Sequence, residues 1–151
     1  QIHGINLLPL TTASTYLATS PAFVHKNMAA LERETQIYHS RAKRAKPEDI
    51  WQDLFAKYVA LVDPAKGRSR WDAWGSIELG DTRSHAQHWL SLMQEIGPPN
   101  LSTAANTQFY AVFGSGSKKV YMVFNPGPRD LEVNFNDGKT VIAKPGVLSI
   151  F

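Results

Sequence analysis

The stretch Phe109-Tyr110-Ala111-Val112-Phe113, then Gly114-Ser115-Gly116-Ser117, then Val120-Tyr121-Met122-Val123-Phe124 decides how this chain is organised. Two aromatic and β-branched runs flank a glycine-serine turn, the pattern of paired strands. Leu131, Val133 and Phe135 follow with a period of two, and Asn136-Asp137-Gly138 closes that run. An Asp-Gly turn is a strong hairpin signal, because glycine takes φ > 0 without a steric cost. Upstream of Phe109 the apolar residues recur at helical spacing instead. The chain therefore reads as α+β: a helical part over residues 1–100 and a small antiparallel β segment over residues 101–151.

At 151 residues, with 43% hydrophobic and 19% charged residues, the chain has the makings of an ordinary globular core. No apolar run approaches the ~20 residues of a membrane span, so no membrane partner is expected. With no cysteine, disulfides, thiolate metal sites and cysteine nucleophiles are excluded. The formal charge is +3 and the pI about 9.2, much of the excess lying in Arg41, Lys43, Arg44 and Lys46. That cluster holds no aromatic residue for base stacking. It reads as a solvated loop between helices, not as a nucleic-acid site. The chain opens on Gln1 with no visible signal peptide. Ile2-His3-Gly4-Ile5-Asn6 reads like the middle of a structure, so a piece of something longer is expected.

Gly4–Pro9 is expected to be extended or bent, with a short helix around Thr12–Leu17. Ser20-Pro21 starts a helix, with serine as cap and proline at the first helical position. Phe23, Asn27, Ala30 and Leu31 share one face, and the helix is expected to fade near Thr35. A second helix starts near Pro47, with Ile50, Trp51, Leu54, Phe55, Tyr58, Leu61 and Val62 as a wide apolar stripe. Asp63-Pro64 ends or kinks it. Ala65–Trp74 is a short helix or an ordered loop. Asp81 or Thr82 caps a further helix carrying Ala86, Trp89, Leu92, Met93 and Ile96, stopped by Gly97-Pro98-Pro99. Such helices suit either a small bundle or the last staves of a larger helical barrel.

Candidate chemistry is sparse. His85 and His88 lie three apart on a helix, about 60° around its axis. Two histidines alone make no metal site, and no metal or cofactor is expected. His3 and Asn6 flank Gly4 in a bend able to line a cleft; His25 and His39 read as surface residues. Glycoside hydrolysis needs two carboxylates at a fixed separation. Asp49, Asp53, Asp63, Asp72, Glu78 and Asp81 are the candidates, and spacing pairs none of them. Asp49 and Asp53 fall near the polar edge of the second helix, Asp63 reads as a helix terminator, and Asp81 as an N-cap. Trp51 and Trp89 belong to apolar stripes and read as core. Trp71 and Trp74, beside Arg68, Arg70 and Asp72, are the better candidates for stacking on sugar rings.

Several phrases together resemble glycoside hydrolase family 81, the inverting endo-β-1,3-glucanases. They are Ile2-His3-Gly4-Ile5-Asn6-Leu7-Leu8-Pro9-Leu10-Thr11, Ala60-Leu61-Val62-Asp63-Pro64, and Gly80-Asp81-Thr82-Arg83-Ser84-His85 running on to His88-Trp89. Tyr110-Ala111-Val112-Phe113, Val123-Phe124-Asn125-Pro126, and Phe135-Asn136-Asp137-Gly138 with Pro145-Gly146 continue the series. In this order they match the C-terminal part of such an enzyme. The resemblance implies the C-terminal helices of an (α/α)6-type barrel followed by a small β segment. It implies a β-glucan-like polysaccharide partner and an extracellular or cell-envelope location. It also implies that the acid and base carboxylates lie upstream, in a missing N-terminal part of the same protein, so no catalytic residue is assigned here. His3, Asn6, Asp81 and His85 are the expected substrate-binding residues, gathered along one side of a sugar cleft. A non-catalytic carbohydrate-binding or wall-associated module, or a related helical-barrel hydrolase of another bacterial polysaccharide, remains the alternative.

Overall fold

A computed structural model describes residues 12–42, 52–73 and 83–151. The chain divides into two compact units, Gln1–Glu95 and Ile96–Phe151. The elements are helices and small antiparallel sheets, an α+β protein. Among the described residues no helix is long and apolar enough to cross a membrane.

The first unit begins with a 3-10 helix, Thr12–Thr19, followed by α1 (Pro21–Ala42). The Ser20 carbonyl accepts from Phe23 N and Val24 N, so α1 starts at the Ser-Pro signal. It runs to Ala42, well past Thr35, because Glu32, Arg33, Glu34 and Gln36 are good helix formers with no breaker among them. Among the described side chains of α1, Val24 and Met28, four apart, are buried, whereas Phe23 is 64% exposed. The expected Phe23 face is thus rotated by about one residue, though Asn27 does turn inward, donating to Tyr58 Oη at 2.9 Å.

Helix α2 (Gln52–Ala60) departs further from expectation. Every residue from Asp53 to Leu61 is buried. A helix buried all round is a central helix, not a surface one with a polar edge. Asp53 therefore sits inside, and Lys57, one turn on, lies beside it with Nζ 3.8 Å from Asp53 Oδ2. The turn after Ala60 leads into α3 (Pro64–Ala73), the helical alternative for that stretch. Asp63 does more than end α2: its Oδ1 accepts from Lys66 N at 2.9 Å, capping α3. Gly67 lets α2 and α3 approach closely. A Cβ there would lie 2.7 Å from both the Ala56 carbonyl oxygen and the Ala60 Cβ.

Helix α4 (Arg83–Ile96) buries Ala86, Trp89, Leu90 and Met93 and exposes Arg83, Ser84, His85, Gln87 and His88. Trp89 is core, as its position on the apolar stripe predicts. Trp71, a candidate for stacking on sugar rings, is also buried, and its Nε1 donates to Gln87 Oε1 at 3.1 Å. Its helical setting turns the ring inward and leaves Arg68 and Asp72 to pair outside, 2.9 Å apart. Trp51, Trp74 and the basic residues beyond Arg41 lie outside the described residues.

The second unit is two antiparallel sheets. β1 (Tyr110–Phe113), β2 (Val120–Phe124) and β5 (Leu148–Ile150) form one in the order β1-β2-β5; β3 (Leu131–Asn134) and β4 (Thr140–Ala143) form the other. Val112, Tyr121 and Val123 from the first sheet pack with Val133, Phe135, Val141 and Ala143 in one core. The period of two placed Val133 and Phe135 correctly inside. Gly138, at φ 91°, closes the Asn136-Asp137-Gly138 loop, with Phe135 N bonded to Lys139 O at 2.8 Å. That is the three-residue hairpin with glycine in the left-handed position.

The same loop is tied to the first sheet electrostatically. Asp137 Oδ2 accepts from Lys119 Nζ at 2.6 Å and from Tyr121 Oη at 2.7 Å. The Lys119 bond, then the Tyr121 bond, hold the Asp137 carboxyl down to about 2. The hydrogen bond to Asp137, with burial and its negative charge, pushes the Tyr121 phenol up to about 12.

Candidate functional site

Of the four expected substrate-binding residues, His85 is the one the structure describes. His3, Asn6 and Asp81 lie outside the described residues, as do Asp49 and Glu78. The local sequence explains why His85 stands where it does. Ala86, Trp89, Leu90 and Met93 turn one side of α4 into the core, which leaves His85 and His88 on the exposed side of the first two turns.

Two side chains, one from each of two helices, lie against His85. Trp89, one turn on, places its ring 6.1 Å from the imidazole at an interplanar angle of 45°. Lys57 reaches from α2 to put Nζ 3.5 Å from His85 Nδ1. Behind Lys57 stands Asp53, so buried anion, buried cation and exposed imidazole line up in that order. An ammonium group has donors only, so toward Lys57 the His85 Nδ1 is an acceptor and Nε2 carries the ring proton. The exposed end of the ring is then a hydrogen-bond donor. Such a group suits a hydroxyl or ether oxygen of a ligand and does not abstract protons.

The three other candidate carboxylates that the structure describes are engaged in structure. Asp53 belongs to the pair with Lys57, Asp63 caps α3, and Asp72 pairs with Arg68. Among the described residues no group of three or more His, Asp or Glu side chains is arranged to hold a metal ion. The motif residue Asn125 is 2% exposed and also structural. Its Nδ2 donates to the Arg129 and Ala143 carbonyls at 2.8 and 2.9 Å, and its Oδ1 accepts from Gly127 N at 2.9 Å.

Lys57 is the residue that sequence reading missed. A signal was present: an Asp and a Lys four apart inside a continuous apolar run, where a charge survives only if paired. The buried indole N–H of Trp89 has no acceptor among the described residues, an uncommon state for a group that normally finds one.

Comparison with known proteins gives the setting for these residues. No protein-family model matches the chain. Over 148 residues, 98% of its length, it is 32% identical to a glucan endo-1,3-beta-D-glucosidase from Acetivibrio thermocellus. Over 156 aligned positions, covering 99% of its length, it is 34% identical to a glucan endo-1,3-beta-D-glucosidase from Thermobifida fusca. The chain spans 18% and 19% of the length of these two relatives. Among solved structures, it matches a mutant form of a glycoside hydrolase family 81 protein from Clostridium thermocellum with a TM-score of 0.71 and 29% identity. That match covers 99% of this chain and 20% of the other.

Proposed function

The chain belongs to glycoside hydrolase family 81, of which it is a C-terminal part, and on that premise we propose that it is a portion of an endo-1,3-β-glucanase acting by inversion. The observation that carries this reading is the end-to-end match to two glucan endo-1,3-beta-D-glucosidases, which leaves almost none of the chain unaligned. In this reading α1 to α4 are staves of an (α/α)6-type barrel and the β unit follows them. The acid and base carboxylates, roughly 6.5–9.5 Å apart across the scissile bond, come from the remainder of the polypeptide. The structural engagement of Asp53, Asp63 and Asp72 supports that assignment.

His85 then borders the sugar cleft together with His3, Asn6 and Asp81. Its outward N–H donates to a glucan hydroxyl while Lys57 holds the ring from behind. A polymeric glucan does not cross a membrane, so the whole protein acts outside the cell or at its envelope.

The test uses the whole protein that contains this chain. It should release reducing ends from laminarin, with the α-anomer appearing first by proton NMR. Absence of hydrolysis overturns the substrate assignment, and first appearance of the β-anomer overturns inversion. The 151-residue chain by itself should release nothing; turnover within roughly tenfold of the whole protein would return the catalytic carboxylates to this chain. His85→Ala in the whole protein should raise KM more than it lowers kcat, as expected of a group that binds the substrate and its transition state alike.

A further inference from the structure

The β unit carries one sheet face that its own core does not use. Along β1, β2 and β5 the side chains alternate, and Val112, Tyr121 and Val123 point into the core. The register sets the opposite face. Ala111, Met122 and Ile150 form one cross-strand row, and Phe124 stands beside Leu148 in the next. Phe109 packs edge-on against Phe124 with ring centroids 6.4 Å apart. Ile150 is 61% exposed, Leu148 59%, Phe109 53% and Phe124 40%.

A solvated sheet face ordinarily carries polar residues. The other sheet of the same unit does: Glu132, Asn134 and Thr140 alternate with its buried positions. The face built on β2 has no charged or polar residue at any strand position. A contiguous apolar face is uncommon on a free surface, and depletion of charge marks the centre of a buried interface. A sugar chain is a poor occupant, since the aromatic rings have no hydrogen-bonding side chain among them. Meanwhile the chain spans only 18–20% of the proteins it matches from end to end.

We infer that this face is a docking surface for the remainder of the same polypeptide, outside these 151 residues, which lays a complementary apolar surface across β1, β2 and β5. A covalently attached partner is always present, so the face needs no charges to keep it soluble when empty. The inference rests on family membership and the share of length spanned, and it is independent of the glucanase activity.

The chain has no cysteine, which makes site-directed labelling clean within it. Leu148→Cys and, as an exposed control on the other sheet, Glu132→Cys are introduced singly into the whole protein. Maleimide labelling at each site is followed by mass spectrometry in native and urea-unfolded protein. Leu148→Cys should react about tenfold or more slowly in the native state, and Glu132→Cys within about threefold of its unfolded rate. Ile150→Cys repeats the measurement should Leu148→Cys fail to fold. Equal native rates at the two faces overturn the proposal. A benzophenone maleimide attached at the protected site then identifies the occupant. A cross-link to residues outside this chain supports the proposal; one to the 1–95 unit, or between two copies, overturns it. Because the readout is labelling, a protein that is protected here yet inactive on laminarin overturns the activity reading alone.

Discussion

In the helical unit the buried polar residues described are a charged pair, Asp53 and Lys57, one helical turn apart, with His85 against the lysine. In the β unit the buried polar residues are neutral, Thr103 and Asn125, and the Asn125 amide makes three backbone hydrogen bonds of 2.8–2.9 Å. The difference lies in what each group holds in place. Asn125 fixes a loop to the end of a sheet, where backbone donors and acceptors are plentiful, so a neutral amide satisfies them without the cost of burying an ion. In α2 the backbone groups are already used by the helix, so a buried polar side chain must find another side chain. A charged pair does that only at a large desolvation cost. That cost is borne beside the exposed imidazole of His85.

The comparison can be broken most sharply at the charge pair. Lys57→Ala removes the buried cation beside Asp53 and should destabilise the helical unit by about 3–5 kcal/mol, while Asp53→Leu with Lys57→Met should restore most of that loss. All four tryptophans lie within residues 1–95. Urea titration of the 151-residue chain followed by tryptophan fluorescence therefore reads this unit alone. If the double variant is as unstable as the single one, the pair contributes more than a solved burial problem. Trp89→Ala removes a core side chain that is 5% exposed and should cost a similar ~3–5 kcal/mol. Its fluorescence midpoint must fall; an unchanged midpoint would show that α4 does not bury this face.

In the β unit, Asn125→Ala should cost about 1–3 kcal/mol through the carbonyls and amide it leaves unpaired. Amide exchange at Val123 and Ala143, followed by NMR, locates the loss in this unit. Gly67→Ala pits two effects against each other. Alanine gains about 1 kcal/mol in helix propensity, but its Cβ meets backbone and side-chain atoms of α2 at 2.7 Å. Overpacking of about 1–3 kcal/mol should win, so the melting temperature should drop. A rise would mean that α2 and α3 sit farther apart.

The smallest effect is one of pH. Asp137 titrates near 2 in the folded protein, chiefly through Lys119 and then Tyr121, against ~3.9 when unfolded. A depressed carboxyl contributes stability above its unfolded value and loses it as pH falls toward the folded one. The β unit should therefore weaken between about pH 4 and about pH 2, and Asp137→Asn should flatten that limb of an acid titration read by NMR. An acid limb that is unchanged in the variant would assign it to other carboxyls.

Much of the layout is legible in local sequence. Ser20-Pro21 starts α1, Asp63-Pro64 separates α2 from α3, and Asn136-Asp137-Gly138 turns β3 into β4. Each rests on the backbone geometry of one or two residues, which proline and glycine fix almost alone. Period-two alternation likewise placed Val133 and Phe135 inward. The candidate site was less legible. His85 was singled out by its spacing from His88 and by resemblance, but nothing local ties it to Lys57, 28 positions earlier.

What the sequence determined by itself is which segments are helix or strand and where the chain turns, because those follow from interactions within a few residues. Tertiary structure decided the inside faces of α2 and α3, where the local pattern pointed elsewhere. Asp53 read as an edge residue and Trp71 as a candidate for a sugar-facing surface. Both are buried, since burial is set by what packs against an element from elsewhere in the chain. The two faces of the β1-β2-β5 sheet make the same point: both are mainly apolar, Ser149 being the polar exception on the side of Val123, and the register and the packing of β3 and β4 show which one the unit keeps for its own core.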